Sequence, residues 1–196
     1  MNGVWGLRPQ RVQGRALAFL PCLAFAPCPV QAAQLHAAEG KLTARIQARL
    51  TELGITLPVA QPPVANYVPF ARTGNLVVIS GQLPMSQGKL TSVGKLGESV
   101  SLEDGQAAAR QCFLNVVAHM SAACDGDLDR VVRIVRLGGY VACTAAFTQH
   151  AAILNGASDL AVEIFGDAGR HARAAVGMVS LPMDAPVELE AMFEIG

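Results

Sequence analysis

Val187-Glu188-Leu189-Glu190-Ala191-Met192-Phe193-Glu194-Ile195 alternates apolar and polar residues with one methionine on the polar register. Successive side chains of a strand point to opposite faces, so Val187, Leu189, Ala191, Phe193 and Ile195 share one side and the three glutamates share the other. A strand with one apolar face needs something to cover that face. Working back toward the start of the chain, Ala172 to Val179 reads as the strand before it, and Phe147 to Phe165 as a helical stretch interrupted near Asn155-Gly156. Residues 130 to 143 are rich in β-branched side chains and read as another buried strand. Ser101-Leu102-Glu103-Asp104 has the form of a capping box and opens a long helix through Phe113, Val116, Val117 and Met120, stopped near Gly126. Asn75 to Ile79 reads as a buried strand ending in Ser80-Gly81-Gln82, after a turn-rich connector from Pro58 to Pro69. Leu42, Ile46, Leu50 and Leu53 stand at helical spacing ahead of Gly54. The order of helix, strands, helix, strand, helix and two strands predicts an α/β (α+β) fold, a sheet covered by helices on one face.

The 196 residues allow one domain of ordinary size, and a charged share of 15% with 52% hydrophobic residues excludes disordered and coiled-coil classes. Fifteen basic and fifteen acidic side chains balance, but unevenly: residues 1–38 hold Arg8, Arg11, Arg15 and no acid. The remainder carries twelve bases and fifteen acids, net −3, which disfavours nucleic acid as the partner. Residues 1–38 therefore read as an extension and residues 39–196 as the domain. The apolar run from Ala16 to Cys28 is too short to span a membrane, and it reads either as a signal or transit segment or as a disordered or upstream-translated stretch. The five cysteines, Cys22, Cys28, Cys112, Cys124 and Cys143, form no C-x-x-C pair and have no clustered histidines, so no metal site is expected. They indicate a reduced, cytoplasmic domain, with export or an organelle as the alternative if the extension is a targeting signal.

No phosphate-binding glycine loop, nucleophile elbow, zincin motif or dinucleotide fingerprint occurs. His119, His150 and His171 are scattered and read as surface or helix-terminal residues. Ser80-Gly81-Gln82 at a strand end either presents a hydroxyl and backbone N–H groups to a ligand or forms a plain turn. Tyr67, between Pro63 and Pro69, is a pocket-lining aromatic or an ordinary half-buried one. Arg173 lies in an apolar strand-like run, where a guanidinium needs a partner or a ligand. It either clamps a carboxylate or pairs with Glu188 or Glu190. Glu188 in turn is a solvated residue or a positioned acid.

Taken together, Ala65-Asn66-Tyr67, Ser80-Gly81-Gln82, Asp104 to Arg110, Gly126 to Val131, Asn155, Arg173, Leu181-Pro182 and Val187-Glu188-Leu189-Glu190 resemble the Rid (YjgF) family. Ala65 to Pro69 and Asn155 to Leu160 resemble its longer branch, labelled YjgF/chorismate-mutase-like or endoribonuclease. The resemblance implies a chorismate-mutase-like fold and a homotrimer with a central barrel and three clefts between subunits. It implies a deaminase hydrolysing 2-imino or 2-enamino acids to 2-oxo acids and ammonia, without cofactor or metal. Arg173 would hold the substrate carboxylate and Glu188 would activate water. Tyr67, Ser80 and Gly81 would line the pocket, and Asn155 would shape its floor. The alternatives are a non-catalytic module binding small carboxylates and a ribonuclease.

Overall fold

The structure, a computed structural model, describes residues 45–62 and 66–196. The extension and its boundary at residue 38, with Cys22 and Cys28, lie outside the described residues, as do Leu42 and Ala65. Helix α1 (Arg45–Glu52) buries Ile46 and Leu50. Its first turn is held from a distance: the Asp129 carboxylate accepts the backbone N–H of Arg45 at 2.8 Å and of Ile46 at 3.2 Å. Gly54, at φ +65°, ends the segment as its sequence position suggests.

Strands β1 (Phe70–Thr73) and β2 (Leu76–Gln82) form a hairpin, and β3 (Met85–Ser86) and β4 (Lys89–Leu90) a smaller one. Helix α2 (Leu102–Ala123) starts at Ser101, whose hydroxyl accepts the Asp104 N–H at 3.0 Å and donates to the Asp104 carboxylate at 2.8 Å. The chain then turns through Asp125 and Gly126, both at positive φ, into β5 (Val131–Ala142). Helix α3 (His150–Phe165), β6 (Ala172–Met178) and β7 (Val187–Ile195) complete the fold. The five-stranded sheet has the order β1-β2-β7-β5-β6, antiparallel except for the parallel β5–β6 pair.

The alternation in β7 is realised residue by residue, with Val187, Leu189, Ala191, Phe193 and Ile195 buried and the intervening positions half-buried. Cys112, Phe113, Val116 and Met120 of α2 and Ile153, Leu154, Leu160 and Ile164 of α3 join them in one core. That apolar side of β7 is thus consumed inside the chain by its own helices.

The expected interruption at Asn155-Gly156 is absent, since α3 runs unbroken through both residues. Gly156 is where α3 touches α2, and a Cβ there would overlap the Gln106 carbonyl. The Gln106 side-chain amide donates to the Ala152 carbonyl at 2.9 Å, closing the same contact. The glycine thus serves close helix packing rather than a break. His119 also departs from expectation: it is buried on α2, and desolvation pushes its titration down. Among the described residues no helix is long and apolar enough to cross a membrane.

Candidate functional site

Arg173 stands on β6 opposite Leu137 of β5. Directly paired residues point to the same face, and Leu137 is in the core, so Arg173 leaves the sheet on the helix side. There it meets α3. One terminal nitrogen, Nη1, donates to Asn155 Oδ1 and to Ser158 Oγ, both at 3.0 Å, and Nη2 donates to the Ala151 carbonyl at 3.2 Å. Residues 151, 155 and 158 share one face of a helix, which is why a single planar fork reaches all three. A guanidinium carries five N–H donors. Among the described residues, Nε–H and one Nη2–H are therefore left without an acceptor. Two free N–H donors on a fixed positive charge suit an anion. The alternative pairing with Glu188 or Glu190 does not occur: β7 pairs with β5 and β2, and β5 separates it from β6.

Two residues that the sequence did not single out as functional complete this group. His171, two positions before Arg173, hydrogen-bonds the Gly169 carbonyl through Nδ1 at 2.6 Å and Ser158 Oγ through Nε2 at 3.0 Å. The carbonyl can only accept, so Nδ1 carries the proton and Nε2 accepts from the Ser158 hydroxyl. Burial lowers the His171 titration; the Gly169 bond opposes this and the Arg173 charge adds to it. The neutral imidazole orients Ser158 so that its oxygen accepts from Arg173. The available signals were positional: Ser158 is three residues from Asn155 on a helix, and His171 is two from Arg173 on a strand.

Glu188 lies on the other face. It pairs directly with Tyr140 of β5, and Gly138 faces Glu190 two residues along. Gly81 sits at a bulge in β2, where Ile79 pairs with Ala191 and Gln82 with Leu189. A Cβ at Gly81 would overlap the Glu188 carboxylate, so this glycine is the floor on which the carboxylate rests. Glu190 pairs with Arg136 at 2.7 Å, and Gly138 leaves room for that pair. Glu188 has no cation among the described residues. Its carboxyl is raised above the ordinary value, chiefly by desolvation and then by the Glu190 charge. Tyr140 is raised as well, by desolvation and by Glu190.

Ser80 spends its hydroxyl proton inside the chain. Its Oγ donates to the Val68 carbonyl at 2.7 Å and its N–H to the Pro69 carbonyl at 3.0 Å, which ties the Tyr67 segment to β2. Tyr67 itself is exposed. The six sequence-derived residues thus fall into two groups, Arg173 with Asn155 on the helix side and Glu188 with Gly81 on the open side, with Ser80 holding the segment that carries Tyr67. Arg173 and Glu188 project from opposite faces of one sheet and do not meet within one chain.

This helix-covered mixed sheet, with an arginine anchored to α3 at its parallel edge and a half-buried glutamate on its open face, has clear relatives. Residues 47–193 match the model of the YjgF/chorismate mutase-like, putative endoribonuclease family. The chain belongs to that family, and its fold is the chorismate-mutase-like fold of the YjgF proteins. It is similar to protein TCP17 of Trypanosoma cruzi, 47% identical over 77% of this chain and 94% of that protein. A crystal structure of a protein of unknown function from Agrobacterium tumefaciens is 45% identical, with a TM-score of 0.73 over 80% of this chain and 95% of that one. The crystal structure of a putative endoribonuclease from Shewanella oneidensis is 36% identical, with a TM-score of 0.74 over 76% of this chain and 99% of that one.

Proposed function

We propose that the protein is a deaminase of 2-imino and 2-enamino acids, with 2-aminoacrylate the simplest substrate. The observation that carries this reading is Arg173, anchored by Asn155, Ser158 and the Ala151 carbonyl with Nε–H and one Nη2–H still available. Two free donors on a fixed charge suit a carboxylate and would orient the adjacent C2 carbon beside the guanidinium. An enamine first takes a proton at C3 to become the imine. Water then attacks C2, Glu188 accepts the water proton, and nitrogen takes protons to leave as ammonia, so the products are the 2-oxo acid and ammonia. A raised carboxyl moves protons near neutral pH more readily than an ordinary one.

Because Arg173 and Glu188 leave opposite faces, the complete site takes Arg173 from one protomer and Glu188 from the next, in a homotrimer with three equivalent clefts. The three glutamates of β7, Glu188, Glu190 and Glu194, argue against a polyanionic RNA on the open face. Cytoplasmic residence belongs to the same proposal, since an enamine of this kind arises where amino acids are metabolised.

The test is a semicarbazide-trapping assay with 2-aminoacrylate generated in place, run on the wild type and on two variants, Arg173→Lys and Glu188→Gln. Each variant alone is expected to be nearly inactive. Co-refolded at equal ratio, they are expected to regain about one quarter of wild-type sites, since that share receives both intact residues by chance. Wild-type protein that binds small carboxylates without hydrolysing 2-aminoacrylate overturns the enzymatic reading. Failure of the mixture to recover activity overturns the shared site.

A further inference from the structure

Cys143 and His150 form a second pair of chemically capable groups, away from Arg173. Cys143 follows β5 and His150 opens α3, and the thiol sulfur lies 3.4 Å from His150 Nε2, within hydrogen-bond range for sulfur. The pair faces a cleft of about 580 Å³ whose wall includes Lys95, Glu98, Thr144 and Phe147. Two features hold the partners in register. The Phe147 ring meets the His150 imidazole edge to face, with centroids 5.5 Å apart and planes at 88°. Gly177 of β6 supplies the space, since a Cβ there would come within 2.5 Å of His150 Nε2 and 2.9 Å of Cys143 Sγ.

The other two described thiols contrast with this one. Cys112 and Cys124 are buried, and desolvation pushes both thiols up, away from reactivity. Cys143 is half-buried and opens onto the cleft beside a base.

We propose that Cys143 is a reactive thiol, activated by His150, and that the cleft admits small peroxides that convert it to the sulfenic acid. His150 Nε2 accepts the Sγ proton and the thiolate attacks one peroxide oxygen. The S–O bond forms as the O–O bond breaks. The departing hydroxide takes the proton back from the imidazolium and leaves as water. The sulfur loses two electrons and the peroxide gains them. Among the described residues no second thiol lies at the cleft to resolve the product, so a small external thiol would complete the return.

The test treats the full chain at pH 7.5 with limiting hydrogen peroxide, traps sulfenic acid with dimedone, and reads each cysteine by peptide mass spectrometry. Cys143 is expected to label at least tenfold faster than Cys112 and Cys124, and faster than free glutathione under the same conditions. His150→Gln and Gly177→Ala are each expected to slow Cys143 labelling about tenfold, the first by removing the base and the second by wedging the pair apart. Gly177→Ala needs no unusual backbone, so it remains informative if His150→Gln fails to fold. Wild-type Cys143 reacting no faster than glutathione overturns the proposal, and so does unchanged labelling in a folded Gly177→Ala protein.

Discussion

Replacing Arg173 with lysine separates clamp from scaffold. Arginine uses three donors on Asn155, Ser158 and the Ala151 carbonyl and keeps two for a ligand. An ammonium has three donors in total and no planar pair, so it either keeps the anchors or meets the carboxylate, but not both. The substrate thus loses two charge-assisted hydrogen bonds, which at a partly open site are worth about 2–4 kcal/mol together. The expected loss in kcat/KM on 2-aminoacrylate is about 30-fold to 1,000-fold. Stability should change little. Arg173 and Asn155 are exposed, and water replaces the lost partners, so the cost is expected below about 1 kcal/mol. For a domain of this size that is a Tm shift of at most about 4 °C. Semicarbazide trapping beside a thermal melt reads both quantities. Normal turnover with a clearly lowered Tm would show that Arg173 only fastens α3 to β6, and would refute the clamp.

Glu188→Gln is expected to abolish turnover while raising Tm at pH 7–8: a raised carboxyl binds its proton more tightly when folded, so its stabilising contribution is lost as pH rises through the folded value, and glutamine escapes that penalty. A Tm that falls at neutral pH would contradict the desolvated state of Glu188. Glu190→Gln removes the neighbouring charge that helps hold Glu188 up, so the acid limb of the kcat/KM profile is expected to move to lower pH; a limb that stays in place would sever that coupling. Gly156→Ala presses a methyl group into the Gln106 backbone and is expected to destabilise by about 1–3 kcal/mol with turnover per folded chain preserved, as judged by denaturant melts and active-site-normalised rates.

Much of the fold was legible because its signals are local. The period-two pattern of β7 and the Ser101 cap each depend on residues a few positions apart, and both appear where the chain implies. What was not legible depends on register and on neighbours far along the chain. Gly156 reads as an interruption because a glycine inside a helix usually weakens it, and only the proximity of the Gln106 backbone explains its presence. The choice of Arg173 partner turned on sheet order: β6 and β7 are consecutive in sequence yet separated by β5, so the nearest acids in sequence are not the nearest in space. Ser80 carries a hydroxyl suited to a ligand, but its use on the Val68 carbonyl follows from how the Tyr67 segment folds back. The opposed directions of Arg173 and Glu188 could be read only once each strand's pairing was known.

That opposition has a consequence for how the protein responds to its own abundance. If each catalytic cleft draws one group from either side of a shared boundary, an isolated chain is an inert precursor, and specific activity per chain falls on dilution through the assembly constant. The same arrangement makes damage contagious. In a ring of three, a chain lacking both groups silences the cleft it completes with each neighbour, leaving one of three intact. A minority of defective chains then suppresses activity beyond its own share, the behaviour geneticists recognise as dominant interference.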